Sequence, residues 1–365
     1  MKKTVLSALF ALLVCFLCNS CKKDPDNQLP ETDYSKGVLI CNEGLYPNGA
    51  GSISFYDPAT KTVQNNLFEN INNRPLGNTV QSVTTIADKT YIVVTSAGRV
   101  EVVNSQNFTY LTALDNLPLP RYLMAVSPQK AYLTVWGENG VNGAVLVVNL
   151  LTNQIAKTIP VAKGPEMMAM VGNRIFVPCE GGYDFTNYDN KIAIINTNTD
   201  ELETLLTVPD YPNSIIADAT GAVWALCGGK VVYNTDWTIN ETLSTKGGLV
   251  KINGATATVE SVWEFATAGN ASSLITNAAK TELYYSFNGS IYRILAGSAQ
   301  FNPSLLLSHS YYGMAINPNN NLLYGADPAD YQSNGRIIRH QLTDGAVLDT
   351  LTAGIIPNGS FWFGQ

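Results

Sequence analysis

The sequence predicts an all-β fold, a seven-bladed β-propeller closed by a composite blade of its amino- and carboxy-terminal strands. Short β-branched or alternating runs bounded by Gly, Asn, Asp and Pro recur about every eight to twelve residues, with almost nothing of helical period between them. Laid against itself, the chain repeats a unit of roughly forty to fifty residues, the period of propeller blades. The two ends of the folded part are each incomplete, and each lacks what the other carries.

At the amino terminus, Met1-Lys2-Lys3-Thr4, the apolar run Val5–Leu17 and the small residues before Cys21 follow the order of a secretory leader over residues 1–20. The run is short for a bilayer span, and polar Lys22–Asn27 follows at once. Ser20-Cys21 resembles a lipobox, with Cys18 where Leu is usual, so Cys21 is expected to be acylated and to anchor the chain in a membrane; simple secretion is the alternative. Residues 21–36, rich in Asp, Pro and Asn, read as a flexible tether. A single domain is expected over 37–365.

Six blades are explicit. In the first, Val83–Ile86, Tyr91–Val94, Val100–Asn104 and Tyr110–Thr112 are the four strands. Copies begin at Arg121, Glu166, Asn213, Ser272 and Tyr312, each with a Tyr-, Trp- or Phe-bearing second strand, and four of the six third strands close on Asn. Ser360-Phe361-Trp362-Phe363 is then a first strand without a second, while Val38–Cys41, Ser52–Asp57 and Thr62–Gln64 are a second, third and fourth without a first. Joining them closes the ring and removes bare strand edges. The alternative is six blades with a dangling amino-terminal hairpin.

Composition excludes several classes. Net charge is −7 with 14% charged residues and no basic stripe, so nucleic acid is not a partner. Cys41, Cys179 and Cys227 each sit in an apolar run and read as small buried hydrophobes. The two histidines, His309 and His340, lie apart without ligand spacing, and no phosphate loop, nucleophile elbow or Cys-His pairing occurs. No cofactor, resident metal or catalytic group is expected. Acidic loop residues Glu43, Glu166, Glu180, Asp327 and Asp330 belong to different blades, which leaves a lactonase-like Ca²⁺ site as a minority reading.

In a four-stranded blade, the turn before the first strand and the turn between the second and third open on one face of the disc. Sorted this way, the loop aromatics gather on that face. The residues expected to contact a ligand there are Arg121, Tyr122, Trp136, Glu166, Tyr183, Phe185, Trp237, Tyr312, Asp327 and Tyr331. Loop aromatics beside amides suit a broad, amphipathic, partly planar molecule. For Arg121 the bland alternative is an ion pair with Glu166; for Tyr122 and Tyr312 it is packing.

The lipidated Cys21, Asn42-Glu43-Gly44 followed by Gly51–Asp57, the Pro120-Arg121-Tyr122 and Gly164-Pro165-Glu166 entrances, Asp327–Tyr331 with Gly335, and the closing Gly354–Pro357 together resemble the propeller lipoproteins of Bacteroidetes often labelled surface layer proteins. The resemblance covers nearly the whole chain beyond the leader. It implies an outer-membrane lipoprotein, facing the cell exterior, that captures a large nutrient for a TonB-dependent transporter. Cobalamin and ferric siderophores are both ligands in that family. A ferric catecholate is strongly anionic and the face offers chiefly Arg74 and Arg121, so a cobamide ranks ahead of a siderophore or haem-like ligand, and both ahead of a lactonase or an adhesion module.

Overall fold

A computed structural model describes residues 32–364. The leader, the lipidation position Cys21 and most of the tether fall outside the described residues. The rest forms seven four-stranded antiparallel sheets arranged as the blades of a propeller. Helix is confined, among the described residues, to the turn Tyr34–Lys36 and the six-residue α-helix Leu67–Asn72.

The innermost strands of blades 1 to 7 are Val80–Ile86, Pro120–Ser127, Ala169–Val171, Pro212–Ala217, Ala271–Thr276, Gly313–Asn317 and Pro357–Phe363. The last is the carboxy-terminal strand. It pairs with Val38–Asn42, placing Val38 opposite Phe363, Leu39 opposite Trp362 and Ile40 opposite Phe361. The composite blade is thus formed as expected and the dangling-hairpin alternative is excluded. Phe361, Trp362 and Phe363 are half-buried rather than fully buried, packing at the two flanks of that blade.

Each blade is apolar on both faces because each is sandwiched between neighbours. The core is accordingly divided into seven clusters, one at every blade interface, including the interfaces on either side of the composite blade. The second-strand aromatics Tyr91, Tyr132, Trp224, Tyr284 and Tyr324 lie at their centres, virtually inaccessible. Cys41, Cys179 and Cys227 are buried free thiols.

The Asn that ends several third strands has a local cause. Oδ1 of Asn104, Asn149 and Asn253 accepts hydrogen bonds from the backbone N–H groups two and three residues on, closing the turn into the fourth strand. A register shift follows in each of these pairings, consistent with the twist a blade needs at its rim.

Candidate functional site

Where the innermost strands begin, their entrances and the loops between second and third strands share one face. Three adjoining hollows open there. A central one of about 490 Å³ runs into the channel between Tyr122, Tyr211, Asn213, Ser272, Tyr312 and Asn358. A second of about 820 Å³ lies at blades 5 and 6 between His309, Tyr311, Tyr312, Asp327 and Tyr331, and a third of about 230 Å³ lies between Tyr188, Tyr211 and Ser272. Tyr211, Tyr312 and Ser272 are shared walls, so the three form one branched bowl.

Exposed aromatic rings stand on the loops of this face, and two of them, Tyr312 and Tyr331, line the bowl itself. Tyr46, Tyr183, Phe185, Tyr233, Trp237, Tyr312 and Tyr331 are all solvent-facing, Trp237 to 82% and Tyr331 to 50%, and all belong to loops of this face. Tyr312 and Tyr331 meet edge to face at 5.8 Å. Of these, Tyr183, Phe185, Trp237, Tyr312 and Tyr331 were expected from the sequence. Tyr233, whose hydroxyl accepts from Asn270 Nδ2 at 2.9 Å across to blade 5, was not. It precedes a short hairpin, marked by a bridge between Tyr233 and Ile239, within the long blade 4 insert.

Trp136 corrects the sequence reading. Its exposure is 7%, its Nε1–H donates to Glu166 Oε1 at 2.9 Å, and the Arg121 guanidinium stacks 4.1 Å above its ring. The reason lies in glycines of two neighbouring blades. Gly140 and Gly182 both have positive φ and touch backbone to backbone, with a Cβ on Gly182 falling 2.0 Å from the Gly140 oxygen. That contact brings the loop of blade 3 down over blade 2, and Tyr183 covers Trp136 edge-on at 5.1 Å.

Arg121 takes the bland alternative. Its Nε pairs with Glu166 at 2.7 Å and its Nη1 donates to Gln81 Oε1 at 2.6 Å, while Gln81 Nε2 donates to the Tyr122 hydroxyl at 3.0 Å. Arg74, expected on the face, grips Glu101 through both guanidinium nitrogens at 2.8 Å and stacks on Phe68 and Tyr110 at the blade flank. Asp327 pairs with Arg336 at 2.5 Å. Both arginines that the sequence offered for an anionic ligand are therefore already neutralised.

Carboxylates crowd the same mouth. Burial, reinforced by the charge of Glu166, pushes Glu180 well above the ordinary carboxylate value, against the opposing pull of Arg121 and a hydrogen bond from Tyr211. Burial also raises Glu43, near the Tyr312 hydroxyl. Burial raises Glu166 too, against the downward pull of its direct contact with Arg121. Among the described residues no group of three His, Cys, Asp or Glu side chains could hold a metal ion.

The family profile described as a domain of unknown function, DUF5074, matches residues 36–334, from the start of the composite blade into the third strand of blade 6. The chain belongs to the DUF5074 family. Comparison with curated proteins gives no match. Among solved structures, the DUF5074 chain is similar to a quinonprotein alcohol dehydrogenase-like protein from Bacteroides thetaiotaomicron, at 14% identity and a TM-score of 0.66 over 91% of this chain and 79% of that one. The periplasmic gluconolactonase of Pseudomonas aeruginosa matches with TM-score 0.63 and 14% identity over 90% and 99% of the two chains. Apo AztD from Citrobacter koseri matches with TM-score 0.55 and 10% identity over 87% and 82%. At such identities the likeness is one of fold, and activity has to be argued from the site.

Proposed function

We propose that this protein is a binding protein that captures a large, amphipathic, ring-shaped nutrient on its loop face, a cobamide first, and hands it to a TonB-dependent transporter while Cys21 tethers it to the outer membrane. The observation that carries the reading is the set of exposed aromatics on the loop face, with Tyr312 and Tyr331 lining a branched bowl near which Arg121 is already paired. Solvent-facing rings on a soluble domain lose free energy until something flat covers them. A neutral, amide-rich macrocycle can do so without a cation to receive it, whereas a polyanionic ferric catecholate needs free cations, and Arg74 and Arg121 are both held by carboxylates. The lactonase-like alternative is not favoured, because the acidic loop residues serve Arg121, Tyr312 and Arg336 rather than converge on one point.

The test is titration of cobinamide, cobalamin and a ferric catecholate into the wild-type protein and a Trp237→Ala, Tyr331→Ala double variant. Cobinamide or cobalamin should bind the wild type, and the double variant should lose about thirtyfold or more in affinity with its melting temperature unchanged. Binding of the ferric catecholate alone, or of none of the three, would overturn the reading.

A further inference from the structure

Distant in sequence, His309 and His340 meet at the wall of the widest hollow. His309 Nε2 lies 2.8 Å from the Tyr311 hydroxyl oxygen, and His340 Nε2 lies 2.5 Å from the same oxygen. His340 Nδ1 is 2.8 Å from the Gly345 carbonyl oxygen. A carbonyl only accepts, so Nδ1 of His340 carries a proton, and the neutral tautomer this contact selects leaves Nε2 to accept. Its Nε2 is then a lone pair, to which the Tyr311 hydroxyl donates. Tyr311 in turn accepts from Nε2–H of His309, and every proton along the chain is assigned.

The ring nitrogen left over is Nδ1 of His309, without a hydrogen-bond partner among the described residues, on an exposed ring that lines the 820 Å³ hollow. The groups behind it are fixed. Tyr311 and His340 are both buried, and Gly325 makes room for Tyr311, since a Cβ there would fall 2.2 Å from the tyrosine ring. An imidazole with one nitrogen held by a second group is the arrangement that orients a metal-ligating histidine. Yet no other His, Cys or carboxylate set completes a site for a free ion. Any metal that meets His309 must arrive already chelated.

We propose that His309 Nδ1 is an axial ligand to the metal at the centre of a macrocycle, a corrinoid or a haem, bound over this hollow; the inference rests on the capture reading above. Nδ1 donates its lone pair to the metal and an axial water leaves with its own pair, so no proton or electron is transferred. Only a metal with an exchangeable axial position qualifies. An iron already surrounded by six siderophore oxygens does not.

The visible spectrum reads the bond directly. Aquocobinamide, dicyanocobinamide and hemin are titrated into the wild type, His309→Ala and Tyr311→Phe. Aquocobinamide bound to the wild type should take on the spectrum of an imidazole-ligated cobalt; His309→Ala should abolish the change and weaken affinity about tenfold or more, and Tyr311→Phe should keep the change while weakening affinity about tenfold. Dicyanocobinamide, its axial positions held by cyanide, should bind wild type and His309→Ala alike. An imidazole-ligated spectrum with hemin alone would support the axial bond and assign the macrocycle as haem. Equal spectra in wild type and His309→Ala, with binding intact, would overturn the axial role and leave capture standing; failure of all three probes to bind would overturn both.

Discussion

The bowl has two sectors of similar composition and opposite character. On blades 1 to 3, Gln81, Arg121, Tyr122, Trp136 and Glu166 form a latch in which nearly every donor faces an acceptor of the protein itself. On blades 4 to 6, Tyr233, Trp237, His309, Tyr312 and Tyr331 stand open to solvent, the last three lining the widest hollow. Loops of the same position and chemistry thus serve cohesion in one sector and leave free surface in the other. What separates them is whether a neighbouring loop lies on top: Tyr183 closes over Trp136, while the blade 5 turn at Asn288-Gly289 is too short to close over anything.

The largest expected effect is in the latch. Glu166→Ala strands the Arg121 charge in a buried site and removes the acceptor for Trp136, so stability should fall by about 3–5 kcal/mol in chemical denaturation, against a few tenths for Tyr331→Ala. Equal losses in the two sectors would erase the distinction between them. Trp136→Phe is a finer probe. It keeps the ring but removes an N–H donated to a carboxylate, which should cost about 1.5–3 kcal/mol of stability and leave cobinamide affinity within about twofold.

A pH series sharpens the comparison further. Glu180 has a raised value in the folded protein, so the native state holds its proton more tightly than the unfolded chain does. The stability contributed by that proton is complete below the ordinary carboxylate value of 4.5 and is lost as pH rises through the folded value. The wild-type melting temperature should therefore decline as pH rises from 4.5 towards the folded value and level off beyond it, and Glu180→Gln, which stays neutral, should flatten the decline. A variant as pH-sensitive as the wild type would place the titrating proton elsewhere. The smallest effect belongs to the opposite face, where Gln129→Ala in an exposed turn should leave binding unaltered and stability within about 0.5 kcal/mol.

Much of the architecture was legible because its causes are local or periodic. Alternating runs fixed the strands, the Asn at the end of several third strands announced its own turn, and the complementary deficits at Val38–Gln64 and Ser360–Phe363 announced their union. The rim aromatics Tyr183, Phe185, Trp237, Tyr312 and Tyr331 were legible as loop residues on one face. The ends of innermost strands were less so: in blade 3 the strand begins at Ala169 rather than Glu166, with only a bridge from Pro165 to Cys179 before it.

By itself, then, the sequence determined the strands, the blade repeat and its order, and the face on which the loops gather, since each follows from hydrophobic period and turn chemistry within a few residues; the pairing of the two ends decided seven blades over six. Only the tertiary structure decided which of those loop residues remain free. Trp136 was hidden by glycines in two different blades, Arg74 and Arg121 were claimed by carboxylates 27 and 45 positions away, and His309 was joined to His340 through a tyrosine that Gly325 makes room for. Such contacts run between elements whose spacing along the chain carries no signal, and they form only when the ring closes and neighbouring loops are pressed together.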